Sequence, residues 1–204
     1  MPNLYFAFKY GAFLDKLMQK LIPVKIFDGK TFEHVEMILE QPCVGSHACP
    51  YCKDTEEFKQ NRFEGSVHYI SYSVTFTEPV YRVAEATKWL ETESPRKWFF
   101  LNKEISEEKN KILKIWMDKQ VGKKFNQDAY IWNFLFGWEY DLKGKVWFCS
   151  ELMGSALLQI GFNLTIPPCQ LTPPLLYNFC LQELDFKASF VHPRIDKLKA
   201  EFTN

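Results

Sequence analysis

The sequence predicts an α+β domain in which an antiparallel sheet packs against helices. Three observations carry that expectation. Phe32 to Leu39 and Val67 to Phe76 alternate or cluster β-favouring residues. Two later stretches, Ser106 to Lys119 and Cys149 to Ile160, place apolar residues at helical spacing. Strands thus come mainly in one run and helices in another, the pattern of an α+β chain. At 204 residues, one domain with one sizeable core is expected over 1–204, carrying a Cys-rich insertion at about 41–65.

Along the chain, Leu4 to Leu21 reads as a loose amphipathic helix, or as a strand followed by a helix. Val24 to Phe27 is a short extended run, and Asp28-Gly29 marks a turn. In the Phe32 to Leu39 strand the even-numbered residues His34, Glu36 and Ile38 share one face. Gln41 to Gly65 breaks the pattern with Pro42, Gly45, three cysteines and a polar run, so it reads as an inserted loop with a short helix after Cys52. Val67 to Phe76 is expected to pair antiparallel with the His34 strand, with Val80 to Val83 and Trp98 to Leu101 as further strands. Ser106 is an N-cap without the full capping box, because Lys109 stands where a Glu would complete it. Ile112, Ile115, Trp116 and Lys119 mark one face of that helix, and Gly122 ends it. Leu152, Met153, Ala156, Leu157 and Ile160 form the apolar stripe of the second helix, with Gly161 as its stop. Pro167, Pro168, Pro173 and Pro174 then predict an irregular, rigid connection.

Charge and hydropathy narrow the function classes. The 25 basic and 25 acidic residues cancel, so there is no basic field for a nucleic-acid backbone, and no nucleic-acid partner is expected. Lys9, Asp15, Lys16 and Lys20 interrupt the apolar N-terminal stretch, and Tyr130 to Trp138 is half a membrane span. No transmembrane segment is therefore expected, the expected location is cytoplasmic, and the cysteines are expected to be reduced.

The chemistry concentrates at Trp147-Phe148-Cys149-Ser150-Glu151-Leu152-Met153. Cys149 stands at a helix start, where unpaired backbone N–H groups and the helix dipole favour an anion. The same groups that favour a thiolate also suit the oxyanion of a tetrahedral intermediate. A lone cysteine is more often a small buried hydrophobe, and a strand histidine more often a half-buried structural residue. A base is needed, and His34 shares its strand face with Glu36, whose carboxylate would orient the ring and raise its basicity. His68 and His192 are weaker candidates: one begins a strand and the other adjoins Pro193 near the C-terminus.

The order His-Val-Glu on a strand, about a hundred residues, then aromatic-Cys-Ser-Glu-Leu at a helix start resembles the permuted NlpC-type papain-like cysteine hydrolases. Gly122-Lys123-Lys124-Phe125-Asn126 resembles the family's G-x-x-Tyr-Asp segment, with Phe and Asn in place of Tyr and Asp. Gly161 followed by Pro167, Pro168 and Leu171-Thr172-Pro173 resembles the family's ending. The resemblance spans Phe32 to Leu176 and implies a circularly permuted papain-like fold. It also implies a covalent acyl-enzyme on Cys149, His34 as general base, and a peptide, amide or acyl/lipid substrate, with no cofactor. The third catalytic residue is assigned to Glu36, with Ser71, Ser73 and Glu64 open as alternatives.

Two other readings stand beside it. Cys49-Pro50-Tyr51-Cys52 is identical to the glutaredoxin redox motif, but no later Val-Pro or Gly-Gly of that fold follows. Cys43, His47, Cys49 and Cys52 could together hold a structural zinc ion, although the His47–Cys49 spacing is tight. A non-catalytic binding module on the same scaffold is the third alternative.

Overall fold

A computed structural model describes residues 1–10, 32–43, 67–75, 78–83, 98–126 and 146–189. The protein is α+β. Among the described residues an antiparallel sheet of six strands contains β1 (Asn3–Tyr10), β2 (Phe32–Pro42), β3 (Val67–Ser73), β4 (Tyr81–Val83), β5 (Trp98–Glu104) and β8 (Lys187–Ser189). Its spatial order is β4-β3-β2-β1-β5-β8. The helices are α1 (Glu107–Asp118), α2 (Cys149–Gln159) and α3 (Pro173–Gln182), and a parallel two-stranded pair joins β6 (Lys124–Phe125) to β7 (Val146–Trp147).

Alternation in the strands divides the sheet into two faces. β1 sits between β2 and β5, with Phe6 opposite Met37 on one side and Leu101 on the other. These residues, with Leu4, Phe8, Val35, Leu39, Ile70 and Tyr72, form the main core against Leu113 and Met117 of α1 and Leu152, Met153, Ala156 and Leu157 of α2. The Phe-rich composition is used here. Phe8, Phe32 and Phe99 each lie within 5.5 Å, centroid to centroid, of the Tyr177 ring on α3. Each such buried side chain contributes about 1.5–3 kcal/mol of transfer free energy. The opposite face carries Tyr5, Ala7, Ile38, Tyr69, Trp98 and Phe100 together with His34, Glu36, Ser71 and Ser73.

The start of α1 and the end of α2 follow their sequence signals. The Ser106 hydroxyl accepts from the Lys109 amide, and Glu107 and Glu108 lie in the favourable first turn. Gly161 stands just beyond α2 with φ +81°, the left-handed conformation that stops a helix. Asp118 ties α1 to the sheet through Tyr72 of β3 and Arg82 of β4, and it also pairs with Lys114. Burial would raise this carboxyl's pKa, but the Lys114 and Tyr72 hydrogen bonds and the two cations bring it below the usual range.

Three expectations need correction. The core face of α1 is Asn110, Leu113 and Met117; Ile112 and Ile115 point outward, the latter 48% exposed. Two apolar stripes overlap on this helix, and the sheet takes the one containing Leu113. Gly122 does not end α1, which stops at Asp118; it serves the following turn at φ +89° and donates its amide to Val80. The proline-rich connection is partly helical. A 3-10 turn covers Pro168–Gln170, and α3 starts at Pro173 with the Thr172 side chain capping Leu175. Proline at the first helical position removes an amide that has no helical partner, so it starts a helix as readily as it ends one. The 3-10 turn packs against Gly154 of α2, where an added Cβ would meet Leu171 at 2.5 Å.

The first of the two options for Leu4 to Leu21 is also set aside, since its described part is strand β1. Val24 to Phe27, most of the Cys-rich insertion, His47, Cys49, Cys52, Glu64, Tyr130 to Trp138 and His192 lie outside the described residues. The redox reading therefore rests on residues outside the description, and the zinc reading on three such residues together with Cys43. Among the described residues, no helix is long and apolar enough to cross a membrane, and no three His, Cys, Asp or Glu side chains gather to hold a metal ion.

Candidate active site

The site forms where β3 leaves β2. The β2–β3 ladder pairs Met37 with Tyr72 and Ile38 with Ser71, and β3 ends at Ser73. One more step of that register puts Glu36 opposite Ser73. β2 continues to Phe32 without β3 beside it, so His34 lies just past the end of the ladder. On its other side, His34 pairs with Lys9 of β1.

His34 and Glu36 are two residues apart on one strand and therefore share a face. Nε2 of His34 lies 3.3 Å from Oε1 of Glu36 and 2.9 Å from the Ser73 hydroxyl. The Ser71 hydroxyl donates to Oε2 of Glu36 at 2.7 Å. These serines are diagonal neighbours of His34 and Glu36 across the ladder, the arrangement that brings side chains on adjacent strands into contact. Glu36 is 4% exposed, and both serines are fully buried. Trp98 of β5 stands edge-on to the imidazole at 6.4 Å, with the Lys9 ammonium over its indole.

Cys149 comes to this ring from the start of α2. Its side chain is close enough to act on the His34 ring, raising its pKa, and is not in a disulfide; the residue is 3% exposed. Burial would lower the His34 pKa, but the polar and electrostatic influence of the neighbouring Cys149 and Glu36 side chains outweighs it. Together they raise the ring from the usual 6.5 to about 10, so the imidazole is protonated at neutral pH.

Local sequence fixes the approach of the thiol. β7 leads into α2 through Phe148, which takes the N-cap position. Glu151, in the first turn, accepts from the Phe148 amide at 3.4 Å. The first helical bond runs from the Leu152 amide to the Phe148 carbonyl, so the Cys149 and Ser150 amides precede the helical ladder. Ser150 anchors the same turn by donating its hydroxyl to the Leu171 carbonyl. Trp147 is held from the other side. Its indole N–H donates to Gln120 at 3.3 Å, and its ring meets Trp116 edge-on at 5.8 Å. The Gly122 to Asn126 segment runs alongside, with Phe125 paired to Trp147 and the Asn126 amide bonded to the Trp147 carbonyl.

Cys149, His34 and Glu36 are thus brought together, and Ser71 and Ser73, held open as alternatives to Glu36, join the same network. Glu64 lies outside the described residues. His68 falls on the other face of β3, opposite Gln41 and away from this cluster. Trp98 and Gln120 lie in no sequence motif that marks them as site residues, and Trp147 is marked only by its place before Cys149. Their one signal is aromatic or amide character beside strands that only the sheet order makes neighbours. The chain matches no protein-family model, no curated protein and no solved structure.

Proposed function

We propose that this protein is a cysteine hydrolase of the permuted papain-like kind, acting on a peptide, amide or acyl-ester/thioester bond through a covalent acyl-enzyme. The observation that carries this reading is the imidazole of His34, flanked at Nε2 by Glu36 and raised in pKa by the neighbouring Cys149 at the start of α2. A thiolate paired with an imidazolium is a nucleophile at neutral pH.

The reaction follows from these groups. The Cys149 sulfur attacks the carbonyl carbon, and the carbonyl π pair moves to oxygen. The amides at the start of α2 stabilise that oxyanion. His34 gives its proton to the leaving nitrogen, oxygen or sulfur as the bond to carbon breaks. Water then attacks the thioester while His34 takes its proton, releasing the acid and restoring the ion pair. Glu36 keeps the positive charge of the ring compensated.

Intact-mass analysis after exposure to peptide, amide and thioester electrophiles tests the reading. One adduct is expected, on Cys149, absent in Cys149→Ala. An unreactive Cys149 alongside labelling elsewhere would remove the basis for hydrolase chemistry at this site.

A further inference from the structure

We propose that Ser73 is the direct hydrogen-bond partner of the His34 ring, and that Ser71 holds Glu36 beside it as a fixed counter-charge. This deepens the hydrolase reading and rests on it for the catalytic consequence, though not for the geometry.

The imidazole has one proton to give at Nε2, and two acceptors stand near it. The Ser73 oxygen at 2.9 Å lies at the ordinary N–H···O distance, whereas Glu36 at 3.3 Å lies at its outer edge. Glu36 is turned elsewhere. An ionised carboxylate only accepts, so the 2.7 Å contact of Oε2 has Ser71 as donor, and it is the shortest bond in the network. A carboxylate this buried needs such a donor, because an unsatisfied one would be costly. Orientation and charge are therefore divided between two side chains. Ser73 fixes the direction of Nε2–H, and with it the orientation of the ring. Glu36 supplies negative charge, and Ser71 stops it from swinging onto the ring.

The strand register produces this division. Ser71 and Ser73 point the same way on β3 because they are two apart, as His34 and Glu36 do on β2. The diagonal offset then gives each β2 side chain its own hydroxyl. Both are positioning residues: they act through His34 and Glu36 and touch no reacting atom.

The experiment is nitrogen-15 NMR of the His34 ring in the full chain, combined with the pH profile of Cys149 alkylation by iodoacetamide. In the wild type, a slowly exchanging Hε2 proton is expected at neutral pH. Ser73→Ala should lose that protection and slow alkylation about tenfold, the effect of one hydrogen bond in a charged pair, while Ser73→Thr should restore both. Ser71→Ala should lower the pH at which the ring titrates and leave the Hε2 proton protected. An unprotonated or freely exchanging Nε2 in the wild type overturns the assignment without any variant, even if Ser73→Ala does not fold. So does a Ser73→Ala protein with wild-type alkylation and ring spectra. A protected Hε2 proton that depends on Ser73, found together with a Cys149 inert to every electrophile, would uphold the geometry and defeat the hydrolase reading.

Discussion

Two buried glutamates lie four residues apart on the same face of β2, and their surroundings differ in kind. Glu40, 7% exposed, accepts from the Asn3 amide at 2.8 Å, from the Asn3 side chain at 3.2 Å and from the Tyr5 hydroxyl at 3.0 Å. Each donor is neutral and sits on β1, so the carboxylate acts as a clasp between two strands. Glu36, 4% exposed, has one neutral donor in Ser71 and otherwise faces a charged imidazole that also meets a thiol. Burial is common to both. The titratable neighbour and the end of β3 distinguish them, since β3 runs on both sides of Glu40, which pairs with Tyr69, but terminates beside Glu36 and before His34. A buried carboxylate becomes a candidate catalytic group through its partners.

The contrast can be broken at several strengths. Cys149→Ala should abolish electrophile labelling at this site, read by intact mass, whereas no substitution at the Glu40 end should do so. His34→Ala should slow turnover or labelling at neutral pH about 10²–10⁴-fold, the range for losing a general acid–base group. Glu36→Gln should cost about tenfold in alkylation rate by weakening the charge beside the ring. Glu40→Gln should leave that rate unchanged and lower unfolding stability by about 1–3 kcal/mol, read by urea denaturation. Equal effects of these two on alkylation would erase the distinction.

The pH dependence sharpens it further. The His34 pKa is raised in the folded protein, so its stabilising contribution is complete below about 6.5 and is lost as pH rises through about 10. The wild type should therefore lose more stability between pH 6 and pH 10 than His34→Ala does, measured by denaturant midpoints. The smallest effect is expected from Tyr5→Phe, which removes one of the donors to Glu40. About 0.5–1.5 kcal/mol of stability should go, with reactivity untouched.

Much of this was legible in the linear chain. Alternation in Phe32 to Leu39 marked the strand and set His34 and Glu36 on one face, because successive strand side chains point to opposite sides. The apolar stripe from Leu152 to Ile160, closed by Gly161, marked α2 and put Cys149 at its start, because a helix repeats every 3.6 residues. These are local rules, decided within a few residues of the chain.

What lay beyond them depended on partners distant in sequence. Two apolar stripes on α1 were equally regular, and contact with the sheet selected Leu113 and Met117 over Ile112 and Ile115. The prolines before α3 read as a break, yet the Thr172 cap turned the second pair into a helix start. Ser71, Ser73 and Glu36 stood as rivals for one role, and the β2–β3 register, invisible in either strand alone, put all three in one network. Periodicity thus determined which residue types face together on each element. Register and sheet order, set by long-range pairing, decided which of them touch, including the meeting of His34 and Cys149 at the place where β3 leaves β2.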